Sequence, residues 1–284
     1  MRVTSEKRKL FHEVVWQYYR RNGRSMPWRD DPSPYNVLVS ELMLQQTQVA
    51  RVIEKFAQFT ARFPDIPTLA KAPLADVLDA WSGLGYNRRA KYLHEAAKAI
   101  LGNHFGKVPA DLDALITLPG IGTNTAGAIL AYAFNQPVAF VETNIRTVFF
   151  HHFFPDRTDV SDREILELVK LTLPAPQGKT AGLSRNWYWA LMDYGTELKA
   201  SQGGRLDQSR HYKKQSAFEG SLRQMRGMIV SALRSGTVRV EALGNKFADA
   251  RFSSALEGLI KDGLVEHEQG YIGLTGSGSG SHNG

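Results

Sequence analysis

Apolar residues at helical spacing run through most of the chain, and this periodicity limits the fold more than any other feature of the sequence. In residues 5–21, Leu10, Val14 and Tyr18 recur as on one face of an α-helix. The same spacing predicts further helices over residues 40–63, 66–81, 86–103, 111–116, 123–134, 142–153, 161–173 and 183–198. Short turns such as SGLGY, LPGIG and FNQP separate these helices, so we expect an all-α fold.

The sequence changes in character after residue 200. Residues 201–215 are polar and contain two adjacent glycines, so we interpret them as a linker. A predicted helix over residues 218–233 follows, then a short strand, two short helices at 240–247 and 251–262, and two strands about a Gln-Gly turn in LVEHEQGYIGL. This order is typical of a winged helix-turn-helix, and the last run, GSGSGSHNG, is expected to be a flexible tail.

Composition excludes several classes of protein. Cysteine is absent, which excludes disulfides, cysteine nucleophiles, thiolate zinc sites and cysteine-ligated iron–sulfur clusters. No apolar run approaches the roughly 18 residues that span a bilayer, and the N-terminus has no signal-peptide pattern. We therefore expect a cytoplasmic protein without a membrane contact. Lys and Arg outnumber Asp and Glu by 35 to 28, and the net charge of +7 suits a polyanionic partner such as nucleic acid.

The run LPGIG, at residues 118–122, places two glycines around one apolar residue directly before a predicted helix. Such a hairpin exposes unpaired backbone N–H groups at a helix N-terminus, where the helix dipole favours a phosphate. The alternative interpretation is an ordinary tight turn between two helices.

Polar residues in SELMLQQTQV, residues 40–49, form a second candidate site. On a continuous helix, Glu41, Gln45 and Gln48 would lie at i, i+4 and i+7 on one face, where they could line a polar pocket. The alternative interpretation is a solvated helix face.

The run SGLGYNRRAKYL presents Tyr86 on a glycine-rich turn, followed by Arg88, Arg89 and Lys91. An aromatic ring flanked by cations suits insertion into a base stack with phosphate contacts. The alternative is a buried tyrosine beside a solvated basic helix start.

In AFVETNIRTV, Glu142 follows an apolar run and opens a predicted helix. The helix dipole favours a carboxylate there, so Glu142 could be no more than a first-turn acid. Its functional interpretation requires that it face Glu41 across a pocket.

Four runs in this order, PYNVLVSELMLQQTQVARVIEKF, GLGYNRRAKYLHEAA, LPGIGTNTAGAILAYAF and VETNIRTV, resemble the helix-hairpin-helix DNA glycosylase superfamily and its MutY-type adenine glycosylase branch. The resemblance covers residues 26–195 and implies two helical domains that flank a cleft, beside the small C-terminal winged-helix-like domain. The expected domains are 31–140 (six helices with the hairpin), 1–30 with 141–200 (second helical domain), 201–215 (linker), 216–275 (winged-helix-like) and 276–284 (tail).

The resemblance also implies roles for individual residues. Glu41, kept protonated, would donate to a ring nitrogen of the departing purine, and Glu142 would stabilise the oxocarbenium character of the sugar. Asn144 matches a family asparagine that hydrogen-bonds the second carboxylate, and Tyr86 with Gln45 or Gln46 would fill the gap left by the flipped base. The DNA-binding residues that it implies are Gln45, Gln46, Tyr86, Arg88, Arg89, Gly120, Gly122 and Asn124.

The chain departs from the family pattern in four ways. Position 142 is Glu where Asp is usual, and Asp193 is the next candidate for the second carboxylate. The four cysteines that commonly bind an iron–sulfur cluster are absent, so we expect no cofactor and no metal. The residues after Gln215 are too few for the usual domain that reads 8-oxoguanine. Asn124 stands where bifunctional relatives carry a Schiff-base lysine, which favours a monofunctional hydrolase.

The expected function is that of a monofunctional DNA glycosylase of base excision repair, acting as a monomer at the nucleoid. Its expected partner is double-stranded DNA that contains a mispaired or damaged base, most simply adenine opposite guanine or 8-oxoguanine. A glycosylase for thymine, uracil or another altered base is one alternative. A non-catalytic DNA-binding regulatory protein is an alternative of a different class.

Overall fold

The computed structural model describes residues 3–174, 184–210 and 217–277. The helices in chain order are α1 (Ser5–Asn22), α2 (Pro27–Asp30), α3 (Pro34–Leu44), α4 (Val49–Arg62), α5 (Ile66–Lys71), α6 (Leu74–Ala80), α7 (Arg88–Asn103), α8 (Leu112–Ile116), α9 (Thr123–Tyr132), α10 (Thr143–Phe153), α11 (Asp162–Thr172), α12 (Ser184–Gln202), α13 (Leu222–Ala232), α14 (Val240–Phe247) and α15 (Phe252–Lys261). The strands are β1 (Val238–Arg239), β2 (Val265–Glu268) and β3 (Tyr271–Leu274). The fold is thus mostly helical, as the apolar periodicity predicts, and none of the described helices has the length and apolar character of a membrane span.

The chain separates into two compact units. The first unit comprises residues 1–37, 110–117 and 121–214, and the second comprises residues 38–109, 118–120 and 215–284. The C-terminal winged-helix-like segment therefore belongs to the same unit as α4 to α7. The domain boundaries expected from the sequence remain a prediction.

Aromatic side chains form the core of the first unit, where α1, α10 and α12 pack together. The ring of Phe11 on α1 lies 5.5 Å from that of Phe149 on α10 and 5.7 Å from that of Trp187 on α12, with edge-to-face geometry in both pairs. Where α10 meets α12, a Cβ on Gly195 would lie only 2.3 Å from the carbonyl oxygen of Asn144. Only glycine fits there, and the close approach fixes the first turn of α10 against α12.

A buried carboxylate joins the start of the chain to α12. Asp193 is 1% exposed and accepts hydrogen bonds from the backbone N–H of Arg24 at 2.9 Å and from the Arg24 Nε at 2.8 Å. Arg29 donates to both carboxylate oxygens, at 2.9 and 3.0 Å. Four bonds and two guanidinium groups compensate for the burial of this charge, so the cluster fixes the segment between α1 and α3 on α12.

The residues directly after α12 pack onto the first unit. The Thr147 hydroxyl donates to the carbonyl of Gly204 at 3.1 Å, and the amide of Val160 donates to the carbonyl of Gln208 at 2.9 Å. Gln208 is itself buried. Within the expected linker over residues 201–215, residues 201–210 thus have hydrogen-bond partners on the first unit. Residues 211–215 lie outside the described residues.

In the second unit, α5 and α6 pack against α7, and α4 packs against α6. Phe59 on α4 meets Trp81 edge-to-face at 5.9 Å, and both side chains are fully buried. A single helix over residues 66–81 is not formed. The chain breaks between α5 and α6 at Ala72, which has an extended backbone (ψ 147°) because it precedes Pro73.

Helix α13, strand β1, helices α14 and α15 and the hairpin β2–β3 follow one another in the predicted winged-helix order, which is confirmed. The three antiparallel strands have the order β1-β3-β2, with Val238 opposite Ile272. Gln269 and Gly270 join β2 to β3 with φ angles of 49° and 83°, the double positive φ of a type I′ turn. Residues 278–284 of the predicted flexible tail lie outside the described residues.

We expect Asp193→Asn to lower the free energy of unfolding by about 3 kcal/mol, because it leaves the buried Arg29 guanidinium, and the half-buried one of Arg24, without their anion. Thermal or urea unfolding measures the change. Asp76→Asn is the matched control, since Asp76 pairs with Arg62 at 2.8 Å but is 48% exposed, and its loss should cost under about 1 kcal/mol. Equal stability of the two variants would contradict a structural role for the Asp193 cluster.

Candidate nucleic-acid interface

A single buried guanidinium organises the loops of the second unit. Arg89 on α7 is 7% exposed and its Nη1 donates to the carbonyls of Leu42 and Met43 at 2.6 and 2.9 Å. Its Nη2 donates to the carbonyls of Leu84 and Gly85, both at 3.1 Å. Burial lowers the pKa of Arg89 to about 10, which still leaves the side chain charged at neutral pH. Arg89 therefore ties the end of α3 to the glycine-rich turn.

This arrangement corrects two predictions. The continuous helix expected over residues 40–63 is wrong: α3 ends at Leu44, where Arg89 takes up its terminal carbonyls, and α4 begins at Val49. Glu41, Gln45 and Gln48 therefore do not share one helix face, although Glu41 stays half-buried on α3. Arg89 itself, expected to contact a phosphate, is instead committed to backbone carbonyls.

Two residues predicted to fill the gap in a base stack have left-handed backbones. Gln46 has φ 56° and Tyr86 has φ 48°. A bulky side chain in this region costs on the order of 1–3 kcal/mol, and such strain clusters at functional sites. The hydrogen bonds of Arg89 to the neighbouring backbone hold both loops in place. The Trp81 indole also donates to the carbonyl of Gly85 at 3.2 Å.

These two loops line a groove of about 1060 Å³ that lies within the second unit. Its walls come from the QQTQ run, the SGLGY turn, the start of α7 and one side of α13. Most of the charge on its walls is positive. Its charged lining side chains, within the described residues, are Arg51, Arg88, Arg89, Arg223, Arg226, Arg234 and Asp262.

Helix α13 contributes a wall that the sequence analysis did not anticipate. The Arg223 guanidinium lies 5.0 Å from the ring centre of Tyr86 and donates to its hydroxyl. It also lies 5.3 Å from the ring of Phe218, which is 54% exposed. The spacing of Arg223 and Arg226, one helical turn apart, indicates a basic helix face, but not that this face meets Tyr86.

The two glycines of the LPGIG turn differ in what a side chain at each position would contact. Gly120 has φ 76°, and a Cβ there would lie 2.6 Å from the Cβ of Tyr92. Gly122 precedes α9 as its N-cap with φ −88°, and a Cβ there would meet nothing within 4 Å. Gly120 is thus required by packing, whereas Gly122 leaves the N-terminus of α9 open to an anion.

The first unit brings together three other predicted residues. Glu142 is the N-cap of α10, and its carbonyl accepts from the amide of Arg146 at 2.8 Å. Asn144 lies in the first turn, against Gly195. Asn124, on α9, accepts from the amide of Val141 at 3.3 Å through its Oδ1 and so holds the residue before Glu142.

Asp193, the reserve candidate for the second carboxylate, is not available for that role. It is fully buried, and both of its carboxylate oxygens accept hydrogen bonds from Arg24 or Arg29. Among the described residues, no group of three or more His, Cys, Asp or Glu side chains is arranged to hold a metal ion.

Residues 39–172 match the HhH-GPD superfamily of base excision DNA repair proteins. An adenine DNA glycosylase of Mycobacterium tuberculosis is 35% identical over 289 residues, covering 92% of this chain and 92% of the relative. That of Mycolicibacterium smegmatis is 34% identical over 282 residues, covering 92% and 94%. The solved structure of a thermostable thymine-DNA glycosylase superposes with a TM-score of 0.60 at 25% identity, covering 69% of this chain and 89% of the other.

The fold and the sequence matches together define a helix-hairpin-helix protein of base excision repair. This chain belongs to the HhH-GPD superfamily, in the branch of the adenine DNA glycosylases.

We expect Gly122→Asp to weaken binding to matched and mispaired duplexes alike by at least about tenfold, because a carboxylate would repel a phosphate at the start of α9. Aspartate is a favoured N-cap, so the helix itself is not weakened. Gly122→Ala adds only a methyl group into open space and is the matched control. Fluorescence anisotropy with labelled duplexes measures both. A loss confined to the mispaired duplex would assign the turn to base recognition instead.

Proposed function

We propose that this protein is a monofunctional DNA glycosylase that hydrolyses the N-glycosidic bond of adenine opposite guanine or 8-oxoguanine. The observation that carries the proposal is the pair of left-handed residues, Gln46 and Tyr86, on one arginine-lined groove. A strained amide and a strained aromatic ring on rigid loops suit the filling of a base stack. The extended identity to adenine DNA glycosylases supports adenine as the base.

The reaction requires that the nucleotide leave the duplex, since a stacked base is out of reach of a side chain. Glu41 is proposed to protonate a ring nitrogen of the flipped adenine, which makes the purine a better leaving group. It lies on α3 directly after Ser40, which is fully buried, and α3 ends at the carbonyls that Arg89 holds. The helix that carries Glu41 is therefore fixed at its C-terminal end.

Glu142 is proposed to stabilise the positive charge that develops on the sugar, in the manner of paired carboxylates in glycosidases. Its backbone is held on both sides. Asn124 bonds the residue before it, and the contact of Gly195 with Asn144 fixes the turn after it. A rigid backbone is what a longer side chain at this position requires, since a misplacement of about 1 Å can cost a hundredfold in rate.

The proposed chemistry needs no cofactor and forms no covalent Schiff base. The chain has no cysteine with which to ligate an iron–sulfur cluster. The amide of Asn124, in the place of a Schiff-base lysine, is not a nucleophile of that kind, and its oxygen accepts from Val141. Action as a monomer, in the cytoplasm and on nucleoid DNA, remains part of the proposal.

A glycosylase for thymine or uracil is the second candidate. The observation that favours it is the superposition on a thymine-DNA glycosylase with a TM-score of 0.60. A panel of labelled duplexes with adenine, thymine, uracil or hypoxanthine opposite guanine and 8-oxoguanine distinguishes the candidates by alkali-dependent strand cleavage. We expect cleavage at adenine; cleavage at thymine or uracil alone would favour the second candidate, and none at all would favour a non-catalytic DNA-binding protein.

We expect Glu41→Gln to reduce single-turnover base release by at least about a hundredfold while DNA binding persists, because the amide keeps the shape of the acid but has no proton to donate. Rapid-quench kinetics at saturating enzyme measures release, and anisotropy measures binding. Glu54→Gln, an exposed position on α4, is the control and should behave as wild type. Near-normal release by Glu41→Gln would refute the assignment.

We expect Glu142→Gln to abolish nearly all base release, since an uncharged amide does not stabilise a developing cation. Because the backbone around position 142 is held, Glu142→Asp should also lower the rate by withdrawing the carboxylate. Single-turnover assays check both, with the exposed Glu167→Gln on α11 as the control. Wild-type release by Glu142→Gln would show that Glu142 is only a helix-start acid. A Glu142→Asp enzyme faster than wild type would keep the catalytic role of the carboxylate, but would show that the backbone has not adapted to the longer glutamate side chain.

A further inference from the structure

The charges of the C-terminal segment 217–277 are distributed unevenly over its surface. In a helix-turn-helix the second helix of the pair is the one that usually enters the major groove, and here that helix is α15. Its exposed side chains are Ser253, Ser254, Glu257 and Lys261, so its one exposed cation is balanced by an acid. The hairpin β2–β3 exposes Glu266 and Glu268, and the exposed Arg239 of the adjacent β1 packs on the Tyr271 ring and donates to its hydroxyl, so exposed acids outnumber the cation on this surface. Neither surface suits a DNA phosphate backbone.

The opposite pattern holds on α13 and its C-terminal end. Arg223, Arg226 and Arg234 all line the groove that Gln46 and Tyr86 also line. These three arginines of the segment therefore line the same groove as the loops that carry the strained residues, within one compact unit.

Separate contacts fix the segment on these loops. Arg234 reaches Asp79 and the Ser82 hydroxyl, both at 2.8 Å. Lys91 donates to the carbonyl of Asp262 at 2.7 Å, and the Asp262 carboxylate pairs with Arg226 and lies 3.5 Å from Arg88. The single acid of the groove wall is thus neutralised by two arginines.

Arg223, Phe218 and Tyr86 line the same groove. Phe218 exposes more than half of its surface, and the Arg223 guanidinium lies near both its ring and that of Tyr86, at 5.3 and 5.0 Å from the ring centres. An exposed ring beside a guanidinium is the combination that binds a base face and the phosphate next to it.

We propose that α13 is the second wall of the DNA-binding groove, and that the winged-helix-like segment binds DNA through this helix rather than through α15 or the hairpin. Phe218 stacks on one unstacked base, and Arg223 contacts an adjacent phosphate. A groove of about 1060 Å³ is at the upper limit for small-molecule sites and suits a segment of polymer. This inference rests on the proposed function for the nature of the ligand.

The test is equilibrium binding of the full chain to a duplex that contains a stable tetrahydrofuran abasic site, measured by anisotropy between 50 and 200 mM salt. We expect Arg223→Gln to weaken binding about tenfold and to reduce the slope of log affinity against log salt by about 0.9. Phe218→Leu keeps the apolar volume but removes the ring. It should weaken binding about tenfold without changing the slope.

Lys261→Gln is the matched control, since it removes one exposed charge from α15 of the same segment. It should bind within about twofold of wild type with an unchanged slope, as should Glu266→Gln on the hairpin. A reduced slope for Lys261→Gln together with an unchanged slope for Arg223→Gln would overturn the proposal in favour of binding through α15. An Arg223→Gln protein that loses thermal stability but keeps the wild-type slope of log affinity against log salt would also overturn the proposal, since Arg223 would then act only on the fold.

The two proposals fail in different ways. Binding to the abasic duplex does not depend on base release, so the expected pattern of variants without any release of adenine would contradict the proposed function alone. Normal release of adenine by wild type, with wild-type binding by both Arg223→Gln and Phe218→Leu, would contradict the role of α13 alone.

Discussion

The guanidinium of Arg89 is the interaction on which the candidate interface depends. Its hydrogen bonds reach the last carbonyls of α3 and the carbonyls of the SGLGY turn, two segments that are more than 40 residues apart in sequence. A helix end and a tight turn both leave carbonyls without partners, and five planar donors in one side chain can satisfy both sets. The same contacts hold the loops in which Gln46 and Tyr86 have left-handed backbones, so the hydrogen bonds of the buried Arg89 offset part of that strain.

The strained backbone of Tyr86 is stabilised by contacts from elsewhere in the second unit as well as from its own loop. Two cations lie close to the Tyr86 ring. The guanidinium of Arg89, in the core, is 5.5 Å from the ring centre, and that of Arg223, on α13, is 5.0 Å from it. The second contact joins residues 137 positions apart. The C-terminal segment therefore stabilises the residue that is proposed to insert into DNA. The placement of α13 and the conformation of the glycine-rich turn thus depend on each other.

The sequence predicted the elements better than it predicted their junctions. The type I′ hairpin at Gln269–Gly270 and the glycine turn at LPGIG were predictable, because their geometry is a local property of few residues. The end of α3 at Leu44 was not, since it depends on Arg89, whose local pattern equally fits a solvated basic helix start. Local patterns singled out Glu41 and Glu142, and the resemblance implied their catalytic roles. The contribution of Arg223 was missed because no local pattern links α13 to Tyr86.

The segment after α12 shows how a chain without thiolates can fix this region. Gly203 and Gly204 present carbonyls to the side chains of His151 and Thr147 on α10, at 2.9 and 3.1 Å, and residues 208–210 pair with Val160. Each bond contributes only about 1 kcal/mol, far less than a metal cluster, but they act on a segment that α12 already brings close. The bonds to His151 and Thr147 end on α10, the helix that Glu142 opens, so the segment supports the helix of the proposed catalytic carboxylate through hydrogen bonds. Asn124 holds the residue before Glu142, so this backbone is supported on both sides of Glu142 in sequence.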